Sequence, residues 1–136
     1  MRNNLLISQS LNLYPLLYID LIASLSITQE IIMVKIVSMM KRKEGMSIED
    51  FRTWAFEEHA AIGKQFPKIR HYRMSVVQPE HADGPYDAVS ELYFDTLDDF
   101  KAALESEFGA QAGADIKAHC APDRFRLVTD EVVVVS

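Results

Sequence analysis

Past residue 33 the chain's apolar and polar positions change period several times, and each change predicts an element. Val34 to Met40 is a short run rich in Val, Ile and Met, as in a strand. Lys43, Glu44 and Gly45 make a turn. Ser47, followed three residues later by Asp50, is a capping-box-like helix start, with a carboxylate near the helix's positive end. Ile48, Phe51, Ala55 and Ile62 then recur at helical spacing on one face, and Pro67 stops the helix. From Ile69 to Gln78, Tyr72, Met74 and Val76 alternate with Arg73 and Ser75, the period of a strand with two unlike faces. Pro79 to Pro85 reads as a loop. Asp87 to Asp95 predicts a third strand, with Ala88, Ser90, Leu92 and Phe94 facing one way and Val89, Glu91 and Tyr93 the other. Thr96 and Asp99 repeat the capping signal before a second helical face of Leu97, Phe100, Ala103, Leu104 and Phe108. Gly109 to Gly113 reads as a connection, Asp115 to His119 as a short helix ended by Pro122, and Phe125 to Val135 as the last strand.

This order, strand–helix–strand–strand–helix–strand, predicts an α+β fold over residues 33–136. It is the ferredoxin-like split βαβ arrangement with an antiparallel four-stranded sheet. Both helices cover one sheet face, so the other face needs a cover of its own. A homodimer that closes two sheets into an α+β barrel supplies it, because a bare apolar face of that size is rare on a monomer.

Composition narrows the function classes. Half-apolar and one-quarter charged, the chain is an ordinary globular sequence of one domain's length. Its net charge of −6 and the absence of any basic run longer than Lys41, Arg42 and Lys43 argue against nucleic acid as a partner. A single cysteine, Cys120, excludes an internal disulfide framework and fits a reducing compartment such as the cytoplasm. The first 32 residues differ from the rest, holding only Arg2, Asp20 and Glu30 as charges. Asn12, Pro15 and Asp20 interrupt them, so they lack the roughly 18 unbroken apolar residues of a membrane helix. Asp20 also spoils a signal-peptide reading. They are expected to be a disordered extension, or an over-extended reading frame with the biological start at Met33.

Candidate chemistry centres on His59, which an α-helical wheel puts about 50–60° from the middle of the Phe51/Ala55/Ile62 face, inside the stripe's edge. An imidazole aimed at the sheet from there is suited to move protons near neutral pH. Tyr72 is its candidate partner, a phenol able to hold a carbonyl or stabilise a developing oxyanion. Trp54, Glu91 and Tyr93 are candidate substrate-binding residues: an aromatic wall, a carboxylate that orients His59 or pairs with Arg70 or Arg73, and a second phenol. His59, His71, His81 and His119 share no ligand spacing, so no metal is expected, and there is no phosphate-cradling glycine loop or nucleophile elbow.

The stretches MVKIVSMMKRKEGMSIEDFRTWAFEEHAAIGKQFPKIRHY and DAVSELYFDTLDDFKAALES carry a resemblance. Phe51, Trp54, His59, Pro67 and Tyr72, followed by the E-L-Y-F strand and the helix start at Asp98, resemble the ethyl tert-butyl ether degradation (EthD) family in order and spacing. The likeness runs from about Met33 to Val135. One departure is Lys68, where the family often has Gly after the proline. The resemblance implies a small dimeric α+β-barrel protein that works without a cofactor on a small oxygenated organic molecule, as a lactone or ketone isomerase or a dehydratase does. It also leaves room for a non-catalytic accessory protein or, through the wider superfamily, a haem-linked monooxygenase.

Overall fold

In a computed structural model, residues 32–136 can be described, and Met33–Ser136 form one unit. The readings of the segment before Met33 fall outside the described residues, Ile32 aside. β1 (Val34–Met40) pairs antiparallel with β3 (Ala88–Phe94) on one side and β4 (Phe125–Thr129) on the other, while β2 (His71–Val76) forms the far edge beside β3. The order β2-β3-β1-β4 is the ferredoxin-like sheet that the element order predicted.

Helix α1 begins where the capping signal placed it, with Ser47 Oγ accepting from the Asp50 N–H at 3.0 Å. It is α-helical over Ile48–Thr53, π-helical over Trp54–His59 and α-helical again over Ala60–Gly63. Thr96 caps α2 (Leu97–Glu105) in the same way, accepting from the Asp99 N–H at 3.1 Å. After the proline, Lys68 holds φ at 60°, a left-handed conformation that favours glycine, so the departure at this position has a backbone consequence.

Two expectations are corrected. Gly109 to Gly113 is not a connection but lies inside α3 (Glu107–His119), because Ser106 Oγ caps a new helix by accepting from the Gly109 N–H at 3.2 Å. Gly109 is required there: a Cβ would run into the carbonyl oxygens of Ala103 and Leu104. The last strand is also shorter, ending at Thr129 instead of Val135. Val132 to Val135 lie outside the sheet and are largely exposed.

Ile36, Ser38 and Met40 of β1, and Ala88, Ser90 and Phe94 of β3, are buried on the helix-covered face. Two apolar clusters form beneath the helices, one around Met40, Phe51, Trp54 and Ala55, the other around Ile36, Phe66, Phe94 and Phe100. Each large side chain buried there contributes about 1.5–3 kcal/mol. One charged group is buried as well. The fully buried Asp87 accepts from the Arg42 backbone N–H at 3.0 Å, from its guanidinium at 3.0 Å and from Lys41 Nζ at 3.2 Å, and its own N–H donates to Met40 O. It fastens the start of β3 to the end of β1.

Candidate active site

A cavity of about 110 Å³ opens between the two clusters, bordered by Met40 and Ile116 on one side and by Phe66, Leu92, Leu104 and Ala112 on the other. Its polar lining is Ser38, His59, Tyr72, Ser90, Arg124 and Arg126. It is slightly smaller than a 150 Å³ apolar cavity known to hold benzene, so a single-ring molecule is the scale of its occupant.

His59 owes its placement to the π-helical turn. In an α-helix, residues five apart lie about 140° apart around the axis. The i→i+5 bonding of a π-helix, seen where Ala60 N–H donates to Ala55 O, widens the turn and brings position five much nearer to position zero around the axis. Trp54 and His59 therefore share a face, with ring centroids 4.9 Å apart, and His59 is only 5% exposed. Such π segments recur at functional sites.

The residue that completes the arrangement is Asp115 on α3. Its Oδ2 lies 2.8 Å from His59 Nδ1, and Trp54 Nε1 donates to both carboxylate oxygens at 3.0–3.1 Å. His119, stacked on Trp54 with ring centroids 4.9 Å apart, places its Nδ1 2.8 Å from the Asp115 backbone oxygen and 3.1 Å from Oδ1. A carboxylate only accepts, so it fixes the His59 proton on Nδ1 and leaves Nε2 as the basic nitrogen of a ring that lines the cavity. Burial lowers the His59 pKa from its usual value; Asp115 opposes that effect, and Arg124 and His119 add to the lowering. The imidazole is thus a neutral base at neutral pH. Burial, reinforced by Asp115, pushes the Tyr72 phenol well up, so it stays protonated and can donate a hydrogen bond. Gly63 makes room for that ring, since a Cβ there would lie 2.6 Å from Tyr72 Cε1.

Of the five residues singled out in the sequence, the structure brings two to the cavity, His59 and Tyr72. Trp54 is behind His59 rather than on the cavity wall, holding Asp115. Glu91 and Tyr93 lie on the opposite sheet face, because strand alternation sends Ser90 and Leu92 inward and their neighbours outward. Glu91 pairs with Lys35, not with Arg70 or Arg73. Tyr93 OH donates to Glu131 at 3.1 Å and accepts from Arg73 at 3.2 Å, while Lys35 and Arg73 lie over its ring. Asp115, Arg124 and Arg126 belong to the site and were not singled out. Burial pushes the Cys120 thiol up to about 12, which leaves it a poor nucleophile. A porphyrin is several times larger than this cavity, so the residues do not fit a haem.

Residues 43–123 match the EthD domain. The chain belongs to the EthD family. No curated protein sequence matches it. Among solved structures, an EthD-family protein from Bacillus halodurans is 19% identical, covers 74% of this chain and 99% of its own, and has a TM-score of 0.61. A dimeric protein of unknown function and ferredoxin-like fold from Bacteroides fragilis is also 19% identical, with 73% and 96% covered and a TM-score of 0.58. SnoaB, a cofactor-independent oxygenase from Streptomyces nogalater, is 13% identical, with 76% and 99% covered and a TM-score of 0.56. At these identities the likeness is one of fold. Among the described residues, no helix is long and apolar enough to cross a membrane.

Proposed function

We propose that this EthD-family protein is a cofactor-independent enzyme that moves a proton on a small oxygenated organic molecule, as a lactone or ketone isomerase or a dehydratase does. The observation that carries the reading is the 2.8 Å contact of Asp115 with His59 Nδ1 at the wall of a mostly apolar cavity. His59 Nε2 takes the proton from the carbon next to a carbonyl, and the electron pair moves to the carbonyl oxygen. The Tyr72 O–H donates to that oxygen as charge develops on it. Returning the proton to another carbon isomerises the substrate, whereas expelling a β-hydroxyl as water dehydrates it. The fold is one on which a cofactor-independent oxygenase is built, which makes chemistry without a cofactor reasonable here.

The test is deuterium exchange. Incubated in D₂O with small lactones and cyclic ketones, the protein should catalyse loss of the proton α to the carbonyl, followed by ¹H NMR. Saturable binding without exchange or turnover at any pH would instead make it a binding or accessory protein.

The active form in this proposal is a homodimer. Val37, Met39 and Val89 lie half-buried on the uncovered sheet face, and Phe125 and Leu127, opposite Met39 and Val37 in register, are 53% and 44% exposed. A second copy covers this strip, as the dimeric relative's fold permits. Sedimentation should give twice the 15.5 kDa chain mass, and Leu127→Asp should shift it to the monomer. Unchanged sedimentation of the variant would remove this face from the interface. A lone, buried cysteine suits the cytoplasm as its compartment.

A further inference from the structure

Two arginines at the cavity stand apart from the others. Arg42 pairs with Asp87, Arg52 donates to the carbonyls of Val76 and Val77, Arg70 pairs with Asp95, and Arg73 donates to Tyr93. Arg124 and Arg126 both line the cavity, yet neither has a carboxylate or carbonyl partner among the described residues. Arg126 pairs in register with Ser38, itself a cavity-lining residue, and so lies on the helix-covered side of the sheet with its guanidinium 5.4 Å from the centre of the Phe100 ring. Arg124 is near enough to His59 to disfavour its protonation.

Two like charges two residues apart, both still solvent-exposed, repel each other beside the cavity, and Arg126 gives up part of its hydration there. Burial and Arg124 together lower the Arg126 pKa, as that crowding requires. A bound anion relieves both penalties. The guanidinium fork matches a planar two-oxygen anion, and the chain's overall net charge of −6 makes a local cationic pair a deliberate placement, not a consequence of a basic surface. From this geometry we infer that the site takes a small carboxylic acid, its carboxylate held by Arg124 and Arg126 while its carbonyl and acidic C–H face Tyr72 and His59. This rests on the reading of His59 as a base and names the class of substrate it acts on. Ser38 and Ser90, on neighbouring strands and directly paired, offer two further hydroxyls at the cavity floor.

The probes are 2-furoate, its neutral isostere 2-furamide and inorganic phosphate, added to the intact protein at low salt and followed by NMR shifts of the His59 and Tyr72 resonances. Furoate should bind about ten-fold or more tightly than furamide, and R124Q/R126Q should remove that preference, furoate affinity falling to that of furamide. Equal affinity for acid and amide, or a preference surviving in the double variant, overturns the inference. So does phosphate binding more tightly than furoate. H59Q should keep furoate affinity within about three-fold, because the histidine is not the anion's partner. If furoate binds through the arginines but no substrate carboxylic acid exchanges its α-proton, the proposed proton transfer fails and the anion site stands. If neutral ketones exchange well and furoate has no advantage, the reverse holds.

Discussion

Asp87→Ala should lower the unfolding free energy by about 3–5 kcal/mol, the usual cost of removing one partner from a buried ion pair. The loss has an identifiable source. Asp87 is fully buried, and its carboxylate receives the Arg42 backbone N–H, the Arg42 guanidinium and Lys41 Nζ. Alanine leaves the backbone donor without its acceptor and two cations facing each other at the mouth of the β1–β3 pairing. Urea denaturation measures the change, and the melting temperature should fall by more than about 10 °C. Asp87→Asn should lose clearly less, since its amide oxygen can still accept from the Arg42 N–H. A loss under about 1 kcal/mol for alanine would mean that Arg42 and Lys41 reach water on their own, and that the pair is a surface one in energetic terms.

The fold was legible because periodicity and capping agreed locally. Ser47 and Thr96 announced their helices, and the alternation through Ala88–Phe94 described its two faces correctly. The places where the reading failed have physical causes. Gly109 and Gly113 resemble a linker by composition, but tertiary contact decided otherwise: a glycine is what allows α3 to start against the end of α2. The valine run near the C-terminus has strand propensity, but among the described residues no strand pairs with it.

The site was half legible. His59 was found from its position on a helical stripe, yet the wheel assumed α geometry, and the π-helical turn is what puts the ring over Trp54. Glu91 and Tyr93 show the opposite error: chemistry suited to a pocket, on residues whose alternation with Ser90 and Leu92 already sent them to the other face. Asp115 carried no signal of its own. It sits in a weakly patterned stretch more than fifty positions from its partner, and only the packing of α3 against the π turn brings the two together. Arg126 of β4 and Arg124 just before it were invisible for a similar reason, one an ordinary edge-strand residue and the other a loop residue until the cavity is located.

The largest functional effect is expected at His59. His59→Gln keeps a side chain of similar reach, with an N–H able to donate to Asp115, but it has no titratable nitrogen. Turnover and α-proton exchange should fall about 10²–10⁴-fold, the usual contribution of a positioned general base. The pH profile separates this role from a structural one. Burial lowers the His59 pKa from 6.5, so the wild-type acid limb of kcat/KM should lie below pH 6.5. Asp115 raises that pKa, so Asp115→Asn should move the limb lower still while also slowing the reaction, because the Nδ1 proton is no longer fixed. Stability follows the same sign. The folded-state pKa is depressed, so the unfolded chain binds the proton more readily. The stability linked to His59 is complete above pH 6.5 and is lost as pH falls through the folded-state value, and His59→Gln should flatten the stability profile in that acid window. Turnover that survives the glutamine, or an acid limb above pH 6.5 in the wild type, would show that the base is another group and that the Asp115–His59 contact serves only to pin α3 onto α1.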